Sequence, residues 1–342
     1  MKNGMKWICV ALLLYAGFMS LYLPMEPGGN MVEASEFKPG VNTFQLLGYA
    51  THFDESLDLQ VFVGNDSSQF FCAEILEKDA QRVRASVLLP DTLKSTRFSF
   101  YANNTIDGTI SAPAAITSNG FTLGAGANTC SVNIASENTS ISGIPYQPII
   151  IESMRNLMWH VPMWFTMFVL MFISFRYSMG QLMAKSLEKS QNADLRAASS
   201  AATGTVFCIL GLITGSVWAR FTWGAWWTSD PQLNGALVVA LMYGAYFVLR
   251  GSVQEEEKRA RLSAIFNIFA CVLMVMLLMV MPRFAEGLHP GKSGNPAFSQ
   301  YDLDSTLRIV FYPACAGFIL LGIWMYNLQF RINRLRSKML FE

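Results

Sequence analysis

The sequence predicts an all-α polytopic membrane bundle of six transmembrane helices, with a small all-β domain inserted on the extracytoplasmic side. Three observations carry this expectation: six long apolar runs, a one-sided distribution of Lys and Arg between them, and a stretch of short β-forming segments between the first two runs. The chain is 52% hydrophobic and only 14% charged over 342 residues, where a soluble domain carries roughly 25% charged residues. The runs are Trp7–Leu23, Ile149–Phe175, Ala201–Ala219, Leu233–Leu249, Leu262–Met281 and Leu307–Leu328. A helix needs about 20 apolar residues to cross the ~30 Å hydrocarbon core, and about 17 suffice at the short end.

Orientation follows from Lys and Arg near the ends of the spans. Lys2 and Lys6 precede the first run, and Arg176, Lys185, Lys189 and Arg196 follow the second. Arg250, Lys258, Arg259 and Arg261 separate the fourth from the fifth, and Arg331, Arg334, Arg336 and Lys338 follow the sixth. The short loops of the opposite side hold Arg220, Arg283 and Lys292. Both termini are therefore expected in the cytoplasm, with lipid as the solvent of the spans. The division expected is a first transmembrane helix at 1–24, an extracytoplasmic β-rich domain at 25–148, a five-helix membrane domain at 149–330 and a basic cytoplasmic tail at 331–342. The first run also fits a cleaved signal peptide, although retention as an anchor is the preferred reading. A formal net charge of +1 gives no reason to expect a nucleic-acid partner.

Within 25–148 the segments "LDLQVFVG", "RVRASVLLP", "TRFSFYA", "GFTLGAG" and "CSVNIAS" are rich in β-formers and separated by Gly, Asn, Asp and Pro. That spacing predicts a small sandwich or partial barrel. Cys72 and Cys130 are the cysteines outside the apolar runs, and a disulfide between them is expected in an oxidising compartment. Cys9, Cys208, Cys271 and Cys315 read as small apolar residues within spans. The chain has no CxxC motif.

Three elements converge on the expected outer face. The first is "RFTWGAWWTSDPQL" (Arg220–Leu233), which joins the third span to the fourth. Trp at an interface is ordinarily an aromatic belt. Three Trp packed with Gly224 and Ala225 would also make an aromatic shelf that a planar ligand approaches closely. The second is His160 in "LMWHVPMWF", about 12 Å below the surface if the span begins near Glu152, where an ionisable side chain is costly. Pro162 removes one helix donor beside it. The third is His289 in "EGLHPGKSG", in the loop before the sixth span. Neutral imidazole is a common metal ligand, and two of them can hold a heme iron axially.

At this point the residues resemble a known family. "TWGAWWTSDPQL" is similar to the signature of the WWD-domain heme-handling proteins, among them CcmC, CcmF and CcsA. "HVP" and "LHPGKSG" resemble the histidine segments that precede and follow that signature in the CcmC type. The resemblance covers roughly residues 150–330. It implies a role in cytochrome c maturation, with heme b held non-covalently and transiently at the outer face. His160 and His289 would be the axial ligands. Trp223, Trp226, Trp227, Gly224 and Asp230 would form the platform. It implies the heme chaperone CcmE, the small membrane subunit CcmD and the ABC transporter CcmAB as partners. Two departures stand out: Ser229 occupies the position before the Asp where the family often has Trp, and the β domain is not a usual part. His52, in "ATHFDESLD", reads as a surface histidine or a transient heme ligand. A heme-attachment synthase, the rival enzymatic reading, would carry more spans and more histidines. A solute permease would place polar groups near the midplane.

Overall fold

The computed structural model describes residues 3–22, 24, 26–34, 37–38, 40–65, 70–89, 98–116, 154–285, 287–289 and 305–339. The chain divides into two compact units, one of Met1–Tyr22 with Glu152–Glu342 and one of Leu23–Ile151.

The first unit is helical: α1 (Asn3–Tyr22), α2 (Met154–Leu182), α3 (Leu187–Trp223), α4 (Pro231–Ser252), α5 (Glu256–Val275), α6 (Met281–Phe284) and α7 (Ser305–Met339). A π-helical turn, Met276–Val280, makes α5 and α6 one continuous span. Among the described residues six helices are long and apolar enough to cross a membrane. The helices overrun the apolar runs that announced them. α2 continues to Leu182 rather than stopping at Phe175, and α3 begins at Leu187 rather than near Ala201. Hydropathy marks the hydrocarbon core, whereas backbone hydrogen bonding carries a helix on into polar surroundings.

The α2–α3 seam is built on glycines. A methyl added at Gly204, Gly211 or Gly215 of α3 would lie 2.9 Å from Met171 Cε, 2.9 Å from Trp164 Cε2 and 2.7 Å from His160 Cε1. The order on α2 is reversed, as an antiparallel pair requires. With no hydrophobic drive between helices in lipid, close approach over small residues supplies the packing. α2 runs unbroken through Pro162, whose carbonyl accepts from Thr166 Oγ1 at 2.8 Å. α1 belongs to the same bundle: Trp159 Nε1 donates to Ser20 Oγ at 3.1 Å and Arg155 to the Ser20 carbonyl at 2.9 Å.

Two features hold α4 in place. At one end, Arg250 pairs with Asp194 of α3 through two hydrogen bonds of 2.6 and 2.9 Å, both side chains largely buried. Toward the other end, Gly235 lies against the π-turn, where an added methyl would sit 2.8 Å from the Leu277 carbonyl oxygen. Pro282, just beyond, has no N–H for the preceding turn, and the wide π-turn accommodates it.

The second unit is one antiparallel sheet: β1 (Gly28–Ala34), β2 (Gly40–Tyr49), β3 (Gln60–Asn65), β4 (Phe70–Asp79), β5 (Arg82–Leu89), β6 (Phe98–Asn104) and β7 (Gly108–Ile116). The spatial order is β1-β2-β5-β4-β3-β6-β7, and β1 returns alongside β7. Of the sandwich and the partial barrel, the second is therefore observed. Strict alternation in β6 (Phe98, Phe100, Ala102) and β5 (Val83, Ala85, Val87, Leu89) turns one face inward, where it packs with Phe44, Leu46, Val61, Val63 and Phe71. The expected segments "GFTLGAG" and "CSVNIAS" lie outside the described residues. Cys72 is disulfide-bonded, and Cys130 lies outside the described residues. Cys9, Cys208, Cys271 and Cys315 are free thiols.

Candidate functional site

One end of the helical unit collects the C-terminus of α3, the N-termini of α2 and α4, and the segment after α6. His160 and His289 both lie here, near enough to interact electrostatically. His160 lies on α2, six residues or about 9 Å along the axis from Met154, the first residue of the helix as described.

Hydrogen-bond direction fixes the tautomer of each imidazole. Thr214 Oγ1 donates to the Leu210 carbonyl at 2.8 Å, and it lies 3.0 Å from His160 Nδ1. With its proton committed, the hydroxyl accepts from Nδ1–H, and Nε2 keeps a lone pair. His289 Nδ1 lies 2.8 Å from Asp230 Oδ1. A carboxylate only accepts, so this Nδ1 also carries the proton and Nε2 again keeps its lone pair. A ring N–H held by a carboxylate is the usual support of a metal-ligating histidine.

Asp230 is tied to the backbone as well as to His289. It is the N-cap of α4, accepting from the backbone N–H of Gln232 at 2.8 Å and of Leu233 at 3.2 Å through Oδ1. Its Oδ2 accepts from the Leu288 N–H at 2.6 Å. One buried carboxylate thus ties the start of α4 to the histidine segment. Burial alone would raise its pKa. The hydrogen bond from His289, with those from the Leu288 and Leu233 N–H groups, outweighs burial and holds the carboxyl well below its ordinary range.

The three tryptophans divide. Trp223 ends α3 and meets the His289 ring edge-on, centroids 5.1 Å apart. Trp226 and Trp227 are exposed, and Trp227 Nε1 donates to Asn234 Oδ1 at 3.2 Å. Among the described residues no two of the three stack on one another. Gly224 caps α3 in the left-handed region at φ 78°, and a methyl there would meet open space. Gly adopts that backbone conformation without strain. Its carbonyl accepts from Arg220.

Sequence reading missed the surroundings of His160. Trp164 and Trp218 flank it at 6.2 and 6.3 Å between centroids, Thr214 orients it, and Gly215 makes room for it. Gly211, Thr214, Gly215 and Trp218 recur at helical spacing on one face of α3, which was the available signal. A Gly215→Ala substitution is expected to displace the His160 ring while leaving α3 helical. Its measurable consequence is loss of a His160-dependent spectrum with circular dichroism unchanged; an unaltered spectrum would show that the ring has freedom the packing denies. His52 lies in the β unit, between β2 and β3.

Two imidazoles with Nδ1 engaged by oxygen lie near tryptophans at one end of a bundle whose six long apolar helices make this a multi-pass membrane protein. The chain belongs to the heme exporter protein C family (CcmC), whose sequence profile matches residues 129–340. Heme exporter protein C of Paracoccus denitrificans is 28% identical over 145 residues, 42% of this chain and 60% of that protein. That of Bradyrhizobium diazoefficiens is 33% identical over 180 residues, 52% of this chain and 66% of that protein. The cytochrome c biogenesis protein CcsA of Prochlorococcus marinus (strain MIT 9303) is 31% identical over 109 residues, covering 32% of this chain and 33% of the relative. The matches span less than two thirds of these relatives' own length.

Proposed function

We propose that this chain holds heme b at the outer face of the bacterial inner membrane, with His160 and His289 as axial ligands, and passes it to a membrane-anchored chaperone. The observation that carries the reading is the shared geometry: both histidines have Nδ1 engaged by oxygen, which makes Nε2 the nitrogen each would offer to iron. Among the described residues no three or more His, Cys, Asp or Glu groups converge. A bare metal ion would need such a group. Iron already held by four porphyrin nitrogens needs only two further ligands. Trp223 buttresses the His289 ring, and the exposed Trp226 and Trp227 offer apolar surface to the macrocycle, whose burial on aromatic rings is favourable. The exposure of those two rings suits cargo that must leave again.

In this reading CcmE is the acceptor, CcmD and CcmAB are companions in the complex, and the β domain at 25–148 faces the same outer compartment. The protein is a heme-handling and transfer component rather than a synthase. It does so as a membrane domain of five helices at 149–330 with its basic tail, 331–342, in the cytoplasm. The test is the absorption spectrum of the full chain purified with its chaperone. A Soret band with bis-histidine character is expected. Protein that neither carries heme nor takes it up on titration overturns the proposal.

A further inference from the structure

The β unit contains a second histidine built like His289. His52 Nδ1 lies 2.9 Å from Asp107 Oδ1, and the His52 backbone N–H donates to Asp107 Oδ2 at 2.9 Å. Asn104 Nδ2 donates to the same oxygen at 3.0 Å. In both places one buried carboxylate takes the imidazole Nδ1 proton and also a backbone N–H at or beside the histidine. The Asp107 side chain is 0% exposed and that of His52 is 50% exposed. The imidazole is therefore pinned on one side and open to solvent on the other, with Nε2 as its free nitrogen.

The loops around His52 are held together by side-chain bonds. Asp58 accepts from the Thr105 backbone N–H at 3.0 Å, from Thr105 Oγ1 at 3.2 Å and from Ser56 Oγ at 2.7 Å. Asp58 and Asp107 together clasp the loop before β3 to the β6–β7 turn. The clasped segments also carry two exposed apolar side chains, Leu57, 102% exposed, and Ile106, 51% exposed. A hydrated metal ion would find one nitrogen and no further converging ligand among the described residues. A metalloporphyrin needs only an axial nitrogen and apolar surface for its ring.

We propose that His52 is an axial ligand for heme iron, and that the clasped loops of the β unit form a second heme-binding site. The ligand class rests on the reading that heme is this chain's cargo; the site itself rests on the His52, Asp107, Leu57 and Ile106 geometry. Asp54 and Glu55 on the same loop disfavour an anionic edge on their side.

The test uses the full chain in detergent at about pH 8, above the ordinary imidazole range. Ferric heme is titrated into three proteins: the unaltered chain, a His160→Ala/His289→Ala variant, and that variant with His52→Gln added. Gln keeps a donor for Asp107 but offers iron no nitrogen lone pair. The double variant should retain one saturable site with a histidine-ligated spectrum. The triple variant should bind more than about tenfold more weakly, beyond the lower end of what losing only an orienting partner costs a metal site. Iron-free protoporphyrin should not distinguish the double from the triple variant. A double variant carrying Leu57→Asp and Ile106→Asp should weaken the same site with His52 intact. Equal ferric-heme titrations of double and triple variants, or no saturable site in the double variant, overturn the assignment. Failure of the membrane-site reading shows separately, as identical stoichiometry and spectrum in the unaltered chain and the double variant.

Discussion

Membranes carrying the His160→Ala/His289→Ala variant should hold little heme bound to this protein, and the cells should fail to mature c-type cytochromes. Both substitutions remove a coordination bond rather than a packing contact. Ala at 160 vacates the space over Gly215, and Ala at 289 frees a carboxylate that keeps its three backbone partners. The bundle is held elsewhere, by the α2–α3 glycine seam and the Asp194–Arg250 pair, so the double variant should reach the membrane folded. Either single variant should pass from six- to five-coordinate iron, and added imidazole should restore part of the signal by occupying the empty position. Single Trp substitutions should act more mildly on retention, with Trp223 the most severe because its ring touches His289. Replacing Trp226 or Trp227 should tell mainly on transfer. Unchanged heme content and cytochrome c levels in the double variant would falsify the bis-histidine reading.

The spans were legible because lipid demands a long apolar run of every helix that crosses it. His160 stood out because an imidazole at that depth is costly unless used, and His289, a loop residue, stood out only through its shared face with His160 and the tryptophans. What composition and periodicity do not encode is partnership across long separations. Asp230 meets His289 at a separation of 59 residues and His160 meets Thr214 at 54. Each contact depends on how helices pack, which a run of apolar residues does not specify. Gly224 shows the converse limit. A glycine amid tryptophans suggested clearance for a ring, and the backbone dihedral shows a helix cap. In the β unit, β5 and β6 were visible through alternation. β4 was not, since its outward residues Glu74, Glu77 and Lys78 are charged and its burial pattern is irregular at the bulge between Ile75 and Glu77.

Asp230→Ala should cost both stability and heme binding, and Asp230→Asn should be the milder of the two. The carboxylate serves two ends at once. As N-cap of α4 it satisfies two orphan N–H groups and places negative charge at the positive end of the helix. As partner of His289 it fixes the tautomer that leaves Nε2 free. In Asp230→Asn an amide oxygen at the Oδ1 position still caps the helix and still accepts from His289 Nδ1, because Oδ1 makes all three of those bonds. The amide NH2 then stands at the Oδ2 position, where it faces the Leu288 N–H and cannot accept from it. Asp230→Ala removes the acceptor that orients His289, and heme affinity should then fall by about 10–100-fold, the usual cost of losing a ligand's orienting partner. Asp230→Ala should add a cap loss of about 1 kcal/mol, seen as a lower melting temperature than that of Asp230→Asn. The pH dependence has a definite sign. The folded-state pKa of Asp230 is depressed, so its contribution is present above the unfolded value of about 3.9 and is lost only as pH falls below it. Titration between about pH 5 and 8 should therefore leave the Asp230 contribution to melting temperature intact in the unaltered chain. The decisive comparison is spectral: Asp230→Ala protein with wild-type heme content and an unshifted Soret band would reduce this carboxylate to a helix cap, and His289 would then owe its orientation to something other than Asp230.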